Sequence, residues 1–204
     1  MSLKLFLDLD RTLFRTSELD AAEWGLLGRQ FGIDSEVELA RRTDFHVRTE
    51  KAYYYDFAAH VRAAGLDDEE TFSFLLQSAL ADGRMEYDGV AELVVWARQC
   101  GSVHVLTYGP KDYQQFKAAL CPSLKEIEII TTLQPKGDYF REQHPTSEAW
   151  MVDDKPIGGD LPDTVRFIQT AEYNGIVAPE HPAWPVATAL SQIPEIVDRY
   201  ELSN

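Results

Sequence analysis

Two aspartates at the end of the first apolar segment could carry nucleophilic or acid–base chemistry. The segment Leu3–Leu7 leads directly into Asp8, and Asp10 follows two positions later. Because side chains alternate along a strand with a period of two, both carboxylates would lie on the same side of its carboxyl end. Two close carboxylates repel, so we expect one of them to be protonated or a cation to lie between them. An ionised aspartate can attack phosphorus and a protonated one can donate to a leaving oxygen, although an acidic turn after a strand explains the same residues.

A hydroxyl and a glycine follow the second apolar segment, residues 103–106. Thr107, Tyr108 and Gly109 come directly before Pro110, which favours a helix start because the first helical turn has no use for the N–H that proline lacks. The Thr107 hydroxyl and the backbone N–H groups of this junction could hold phosphoryl oxygens at the N-terminus of the helix. An ordinary strand–turn–helix junction is the alternative.

A second acidic pair, Asp153 and Asp154, follows the apolar segment 149–152. Carboxylate oxygens at a strand end suit Mg²⁺, which is usually held by few carboxylates together with water and substrate phosphate. The alternative is an acidic surface loop, since 34 acidic and 19 basic residues give the chain a net charge of −15.

A lysine near these carboxylates could neutralise both a nucleophile and a transferring phosphoryl group. Lys136 lies between the third and fourth apolar segments and is the first candidate, with Lys111 and Lys155 as rivals. Since most lysines are exposed, a solvated surface position is the alternative for each of them.

Short apolar strands separated by helical patterns must position these residues. The apolar segments are too short for helices and are bounded by turn residues or charges. They are Leu3–Leu7, 103–106, 127–130, 149–152 and, more weakly, 165–168. Their alternation with helical patterns predicts an α/β fold, a Rossmann-like and mostly parallel sheet with helices on both faces. The carboxyl ends of parallel strands meet at one edge, so the candidate residues are expected to meet there.

Residues 17–85 interrupt this alternation. No convincing strand is found there, and the helical stretches are 18–31, 35–43, 49–64 and 67–81. We therefore predict an all-helical cap domain over 17–85, inserted after the first strand into a core domain of residues 1–16 and 86–204. Open α/β sheets bind ligands at their carboxyl edge, so the insert is expected to lie over this edge as a lid, with hinges near 14–17 and 84–88. A packing extension without a catalytic role is the alternative.

Side chains of the insert are expected to choose the substrate. Arg15, Arg41, Arg42 and Arg48 are candidates for contacts with an anion, and the aromatic cluster 53–57 could stack on a ring. Solvation of the arginines and packing of the aromatic residues within the insert are the alternatives.

The composition argues against several classes of protein. A net charge of −15 repels phosphate backbones and anionic lipids, which argues against general binding to nucleic acids or membrane surfaces. Cys100 and Cys121 are too few for a disulfide framework, and the histidines lack zinc-binding spacing. No apolar run is long enough for a membrane span and no secretory signal precedes Asp8, so we expect a cytoplasmic protein.

Taken in chain order, the candidate residues resemble the motifs of the haloacid dehalogenase-like hydrolase superfamily. The four motifs are Asp8-Leu9-Asp10-Arg11-Thr12, Thr107, Lys136 and Asp153-Asp154. The resemblance covers the whole chain, and residues 17–85 stand where the family has its C1 cap. Arg11 departs from the family pattern because many members have glycine there, and the stretch from Lys136 to Asp153 is short.

The resemblance implies a catalytic role for each motif. Asp8 would be the nucleophile that forms an aspartyl-phosphate, and Asp10 the general acid and then the base that activates water. Thr107 would bind the phosphoryl group, and Lys136 would hold Asp8 and the phosphate in place.

The resemblance also implies a magnesium site. Asp153 would coordinate Mg²⁺ together with the Asp8 carboxylate and the Asp10 backbone carbonyl, and Asp154 would support the metal. The second aspartate of the first motif, Asp10, goes with phosphate chemistry in this superfamily. The expected protein is a Mg²⁺-dependent phosphomonoester hydrolase that acts on a small phosphorylated molecule, as a monomer or homodimer.

Three alternatives belong to other classes. A non-catalytic or regulatory binding protein could share the fold, and a phosphotransferase could share the chemistry. A receiver-like signalling domain also combines acidic residues, a threonine and a lysine with Mg²⁺. It would carry its phosphoacceptor on the third strand and would have no room for the insert, so the motif order argues against it.

Overall fold

The structure is a computed structural model that describes residues 3–48, 53–144, 146–170 and 184–201. In chain order its strands are β1 (Leu3–Leu7), β2 (His46–Arg48), β3 (Tyr53–Tyr55), β4 (Gly101–Tyr108), β5 (Glu128–Thr132), β6 (Ala149–Asp153), β7 (Val165–Thr170) and β8 (Val186–Ala187). Six of them form a parallel sheet in the order β5-β4-β1-β6-β7-β8, and β2 and β3 form a separate antiparallel pair. The predicted α/β fold is confirmed, and all five predicted strands are present.

Helices cover both faces of the sheet. They are α1 (Thr16–Phe31), α2 (Ser35–Arg41), α3 (Phe57–Ala63), α4 (Asp68–Leu76), α5 (Val90–Cys100), α6 (Lys111–Ala119), α7 (Lys136–Gln143) and α8 (Ile193–Glu201). Leu5 and Leu7 of β1 share one apolar cluster with Leu93 of α5, whereas Phe6 packs against Phe140 of α7 in a second cluster. Successive side chains of a strand point to opposite faces, so a strand buried on both faces is apolar without interruption.

The insert is not all-helical, which corrects the prediction for residues 49–64. Residues 53–55 form β3, which pairs with β2 in the register His46↔Tyr55, and residues 49–52 lie outside the described part of the chain. Tyrosine favours strands, and the pairing of residues 53–55 with β2 stabilises a strand where the sequence pattern predicted a helix. The helix α3 begins only at Phe57, where the Asp56 carboxylate accepts a hydrogen bond from the Ala59 N–H at 2.9 Å.

The insert packs against the sheet domain through aromatic side chains of α6. The Phe57 ring stacks on Tyr113 at 4.8 Å between ring centroids, and the Phe72 ring meets Phe116 at 5.4 Å. On the other side, Phe57 contacts Trp24 of α1 at 5.8 Å. One apolar cluster therefore continues from the sheet into the insert.

The two chain segments that lead into and out of the insert run side by side. The Arg15 N–H donates to the Met85 carbonyl at 2.8 Å, and the Tyr87 N–H donates to the Leu13 carbonyl at 3.0 Å. The Arg15 guanidinium lies 4.6 Å from the centre of the Tyr87 ring. Arg15 thus contacts the linking segments, and a role in anion binding has no support from these contacts.

Among the described residues, no helix combines the length and apolar character that crossing a membrane requires.

Candidate active site

Neighbouring parallel strands of the sheet place the candidate acidic residues at one edge. Leu7 of β1 is level with Val105 of β4 and with Val152 of β6, and the Asp8 N–H donates to the Val152 carbonyl at 2.8 Å. Asp8 and Asp153 therefore each stand one residue beyond the matched positions. The parallel register brings together carboxylates that are 145 positions apart in the sequence.

Three of the predicted acidic residues form one compact cluster. Carboxylate oxygens of Asp8, Asp153 and Asp154 lie within 4.8 Å of one another. The Oδ1 atom of Asp154 is buried and has no hydrogen-bond partner within the described part of the chain. Hard oxygen donors with an unsatisfied buried oxygen fit a Mg²⁺ ion, which takes carboxylate ligands.

Lys136 is the lysine that reaches this cluster. It is the first residue of α7, and its Nζ donates to Asp8 Oδ1 and, at 2.5 Å, to Asp153 Oδ2. Lys111 lies exposed on α6, while the Lys155 backbone N–H donates to Asp153 Oδ1 at 2.9 Å. Of the three rival lysines, Lys136 thus has the contacts expected of a group that neutralises Asp8.

Burial and like charge perturb the carboxyl groups of the cluster. Burial raises the pKa of Asp8 to about 6, against the lowering effect of Lys136 and with the help of Asp153. Burial together with Asp8 and Asp153 raises the pKa of Asp154 to about 8. Burial opposes the charge on Lys136, but Asp153 and Asp8 outweigh it and raise the lysine pKa. A bound divalent cation would favour the ionised carboxylates that this cluster otherwise disfavours.

Asp10 lies in a different environment from Asp8. Its Oδ1 accepts hydrogen bonds from Lys117 Nζ at 2.5 Å and Thr16 Oγ1 at 2.7 Å, and its Oδ2 from Lys117 Nζ at 2.6 Å and Gln114 Nε2 at 3.2 Å. Burial raises the pKa of Asp10, but Lys117 and the other donors outweigh it and lower the pKa. Its carboxylate takes no part in the acidic cluster. Each of the two aspartates contacts its own lysine, Asp8 contacting Lys136 and Asp10 contacting Lys117.

Sequence reasoning missed Lys117, Gln114 and Thr16. The available signal lay in α6, where Tyr113 and Phe116 mark the buried face. Gln114 and Lys117 follow Tyr113 by one and four positions, so a polar pair lies beside an apolar stripe. A lysine four residues from a buried tyrosine falls on the same helical face, which is an uncommon place for a charge.

The predicted phosphate-binding junction, residues 107–109, contacts the Gln114 side chain. The Thr107 hydroxyl donates to Gln114 Oε1 at 3.1 Å, and Gln114 Nε2 donates to the Tyr108 carbonyl at 2.9 Å. Gly109 has φ 142°, and its N–H donates to the Thr132 carbonyl at 3.0 Å. The Gly109 N–H is therefore engaged within the protein, while the buried Tyr108 hydroxyl has no partner within the described residues.

Two adjoining cavities of about 330 Å³ and 240 Å³ open onto these groups. Both are lined by Asp10, Tyr53, Tyr108 and Lys155. The larger one also reaches the residues around Asp8. The smaller one reaches six further residues of the insert and linking segments: Thr16, Asp20, Arg42, His46, Tyr54 and Tyr55.

Only some of the arginines considered for anion binding lie at these cavities. Arg42 lines the smaller cavity, where it donates to Asp20 at 2.8 Å and lies 4.3 Å from the centre of the Tyr55 ring. Arg48 borders a neighbouring depression. Arg41 instead donates to Glu38 at 3.0 Å and does not line either cavity.

The sequence matches no protein-family model and no curated protein, but the structure resembles many solved structures. One is a putative haloacid dehalogenase-like hydrolase from Burkholderia xenovorans, with a TM-score of 0.69, 19% identity and 98% of both chains covered. Another is the putative hydrolase YfnB from Bacillus subtilis bound to magnesium, with a TM-score of 0.60, 17% identity and coverage of 97% of this chain and 99% of that chain. A third is CbbY from Rhodobacter sphaeroides in complex with phosphate, with a TM-score of 0.61, 17% identity and coverage of 97% and 100%.

The parallel sheet with an acidic carboxyl edge defines an α/β protein of Rossmann-like architecture. Within that class the chain has the haloacid dehalogenase-like hydrolase fold, as the resemblance of its motifs predicted.

Proposed function

We propose that the protein is a Mg²⁺-dependent phosphomonoester hydrolase that works through an aspartyl-phosphate on Asp8. The observation that carries this proposal is the environment of Asp8. Its buried carboxylate stands at a strand end, contacts Lys136, and lies within 4.8 Å of the Asp153 and Asp154 carboxylates. A nucleophile held by an ammonium group at a carboxylate cluster suits attack on an anionic phosphoryl group.

In the first step, an Asp8 carboxylate oxygen attacks phosphorus and the bond from phosphorus to the ester oxygen breaks. The leaving oxygen takes a proton from the protonated form of Asp10 and departs as an alcohol. Lys136 would neutralise the charge shared by Asp8 and the phosphoryl group. Thr107 would bind a phosphoryl oxygen through its hydroxyl, which would then donate to that oxygen in place of Gln114 Oε1.

In the second step, water attacks phosphorus and gives a proton to the Asp10 carboxylate. The bond from phosphorus to the Asp8 oxygen breaks, so that inorganic phosphate leaves and Asp8 is regenerated. The contacts of Asp10 with Lys117, Thr16 and Gln114 favour the carboxylate form, which is the form that this step needs as its base. The sum of the two steps is hydrolysis of a phosphomonoester by one water.

The metal would be held by Asp8, Asp153 and Asp154, with the Asp10 backbone carbonyl as a further ligand. Bound Mg²⁺ would supply positive charge beside the phosphoryl oxygens. Two neighbours of the same fold support this chemistry, since one is bound to magnesium and another is in complex with phosphate.

The insert would act as a C1-type cap domain over residues 17–85 that closes over the site. The proposal is supported by insert residues such as Arg42 and Tyr54, which line the same cavity as Asp10. Closure would exclude water while the aspartyl-phosphate forms, and the paired linking segments near 14–17 and 84–88 would serve as hinges. Cavities of about 240 and 330 Å³ suit a small phosphorylated metabolite as the substrate.

The proposal is tested by hydrolysis of p-nitrophenyl phosphate with and without Mg²⁺. We expect turnover that EDTA abolishes and that added Mg²⁺ restores, with no turnover by the Asp8→Asn variant. Full activity in EDTA would overturn the metal assignment. Absence of activity towards both this ester and a panel of phosphorylated metabolites would overturn the hydrolase assignment.

A further inference from the structure

The helix α6 directs two polar side chains at the proposed acid–base residue. Gln114 and Lys117 are separated by three positions, so they lie on one face of the helix. Both are buried, with 3% and 2% of their surface exposed. A lysine this deeply buried needs a partner for its charge. The partner is Asp10, which lies 107 positions away in the sequence.

Together these contacts fix both oxygens of the Asp10 carboxylate. The Lys117 ammonium lies 2.5 and 2.6 Å from Oδ1 and Oδ2, and the Gln114 amide lies 3.2 Å from Oδ2. On its other side, Lys117 is 4.8 Å from the centre of the Tyr113 ring, which limits where the ammonium can move. A quarter of the Asp10 side chain remains exposed, and Asp10 lines both cavities. The carboxylate is thus held from one side and open to the cavities.

Gln114 also links Asp10 to the junction that follows β4. The same side chain accepts from the Thr107 hydroxyl at 3.1 Å and donates to the Tyr108 carbonyl at 2.9 Å. The Gln114 side chain therefore contacts Asp10 and Thr107 at the same time. Proton transfer requires hydrogen-bond distances between the acid–base group and the reacting oxygen, so a carboxylate held in this way is already oriented for the reaction.

We propose that Gln114 and Lys117 are positioning residues that hold the Asp10 carboxylate in place for proton transfer. This inference rests on the proposed function, because it takes Asp10 as the group that transfers the proton. The two residues act through Asp10 and need not touch the substrate. Their loss therefore lowers kcat and leaves KM nearly unchanged, and it has no further effect once Asp10 has lost its acid–base function.

A double-mutant cycle between Lys117 and Asp10 tests this inference. The variants Lys117→Met, Asp10→Asn and their combination are assayed with p-nitrophenyl phosphate and Mg²⁺. Methionine keeps the length of the side chain and removes the ammonium. The matched control is Lys111→Met, on the same helix but exposed, which is expected to behave like the wild-type protein.

We expect Asp10→Asn to lower kcat by roughly 10²–10⁴, the usual contribution of a positioned acid–base group. Lys117→Met is expected to lower kcat by about 10², the order of loss that a misplaced catalytic group produces. The double variant should match Asp10→Asn within about twofold, because the two residues act as a unit. KM should change by less than about threefold in each case.

Two results would overturn the positioning role while leaving the proposed function intact. One is a double variant in which the two losses multiply, and the other is Lys117→Met with wild-type kcat. If circular dichroism shows that Lys117→Met does not fold, the same cycle with Gln114→Leu decides, with the same expected and contrary results. A wild-type protein without phosphomonoesterase activity would instead overturn the proposed function and this inference with it.

Discussion

Asp8 and Asp10 are separated by one residue, yet their surroundings shift their pKa values in opposite directions. Burial raises the pKa of Asp8 to about 6, while Lys117 and two neutral donors lower the pKa of Asp10 against the effect of burial. The strand β1 ends at Leu7, so the period of two no longer dictates where the Asp10 carboxylate lies. Sites with a carboxylate nucleophile and a carboxyl proton donor also separate the two pKa values, but there the proton donor has the higher one. For the proposed roles, a cation bound at the acidic cluster has to lower the pKa of Asp8.

The raised pKa values in the acidic cluster predict how the free energy of unfolding depends on pH. Asp8 and Asp154 have higher pKa values in the folded protein than in the unfolded chain, so the folded protein binds more protons. Their contribution to stability is therefore present at low pH and is lost as the pH rises through about 6 and about 8. Without divalent metal, Asp154→Asn should raise the melting temperature at pH 8 more than at pH 5.

Mg²⁺ should reverse this loss of stability. A cation that binds the ionised carboxylates stabilises the folded protein, and it does so more strongly at pH 8 than at pH 5. The measurement is the melting temperature by scanning fluorimetry, with Ca²⁺ as a second ion. The control is the Lys111→Met variant, whose response to Mg²⁺ should equal that of the wild-type protein. A melting temperature at pH 8 that does not respond to Mg²⁺ would contradict the proposed metal site.

The sequence allowed the acidic cluster to be anticipated better than the surroundings of Asp10. Asp8 follows β1 directly, Asp153 ends β6 and Asp154 follows it, and parallel strands bring their carboxyl ends to one edge. Lys117 lies within a helix, and the helical period shows only that it shares a face with Tyr113. Which distant side chain this face meets depends on how α6 packs on the sheet, and no local pattern contains that information.

At the scale of secondary structure elements, the junction between β4 and α6 depends on Gly109. Its φ of 142° lies in a region that other residues rarely adopt, and an added Cβ would lie 2.5 Å from Gln114 Nε2. An alanine at this position must displace the Gln114 side chain. The glycine is therefore a requirement of the contacts that hold Asp10 as well as of the turn.

We expect Gly109→Ala to lower both stability and activity. The positive φ should cost about 1–3 kcal/mol of unfolding free energy. Displacement of Gln114 should lower kcat for p-nitrophenyl phosphate by about tenfold, since misplacement of a catalytic group is costly. The matched control is Gly32→Ala, at φ 72° with no atom within 4 Å of the added Cβ, which should lose less stability and no activity. Equal activity of the two variants would show that the turn does not position Asp10.

The antiparallel pair in the insert shows why element type is hard to predict in short segments. Residues 53–55 are consecutive tyrosines, and two of them are less than half exposed in the structure. Their strand is stabilised by pairing with β2, which depends on a partner segment rather than on their own pattern. By contrast, α4 lies within the predicted helical stretch 67–81, and Asp67 Oδ1 accepts from the Glu70 N–H at 2.9 Å at its start.

At the scale of the whole molecule, the chain is strongly acidic, but basic side chains lie at its proposed site. The net charge is −15, yet Lys136, Lys155 and Arg42 lie along the two cavities. These cations offset the negative field of the surrounding protein for an anionic substrate.

The alternation of strands and helices in the sequence predicted a mostly parallel sheet. It did not predict the strand order or the two-residue strand β8, because both depend on contacts between distant segments.

Arg42 and Arg41 provide a matched test of substrate recognition by the insert. Both arginines are paired, Arg42 with Asp20 and Arg41 with Glu38, but only Arg42 lines the smaller cavity. Arg42→Ala should raise KM by about tenfold for the best phosphorylated metabolite of a substrate panel, and less for p-nitrophenyl phosphate, which is too small to fill both cavities. Arg41→Ala should leave both KM values unchanged. Equal effects of the two substitutions would argue that the insert does not contact the substrate through Arg42.

The central claim is that Asp8 becomes phosphorylated during turnover, and rapid acid quenching tests it most directly. The protein is mixed with p-nitrophenyl phosphate and Mg²⁺, quenched within milliseconds, digested, and analysed by mass spectrometry for a phosphorylated peptide. The account predicts a phosphoryl group on Asp8 that hydroxylamine removes, that is absent from Asp8→Asn, and that is retained longer in Asp10→Asn. A phosphoryl group on another residue, or turnover by the Asp8→Asn variant at the wild-type rate, would contradict it.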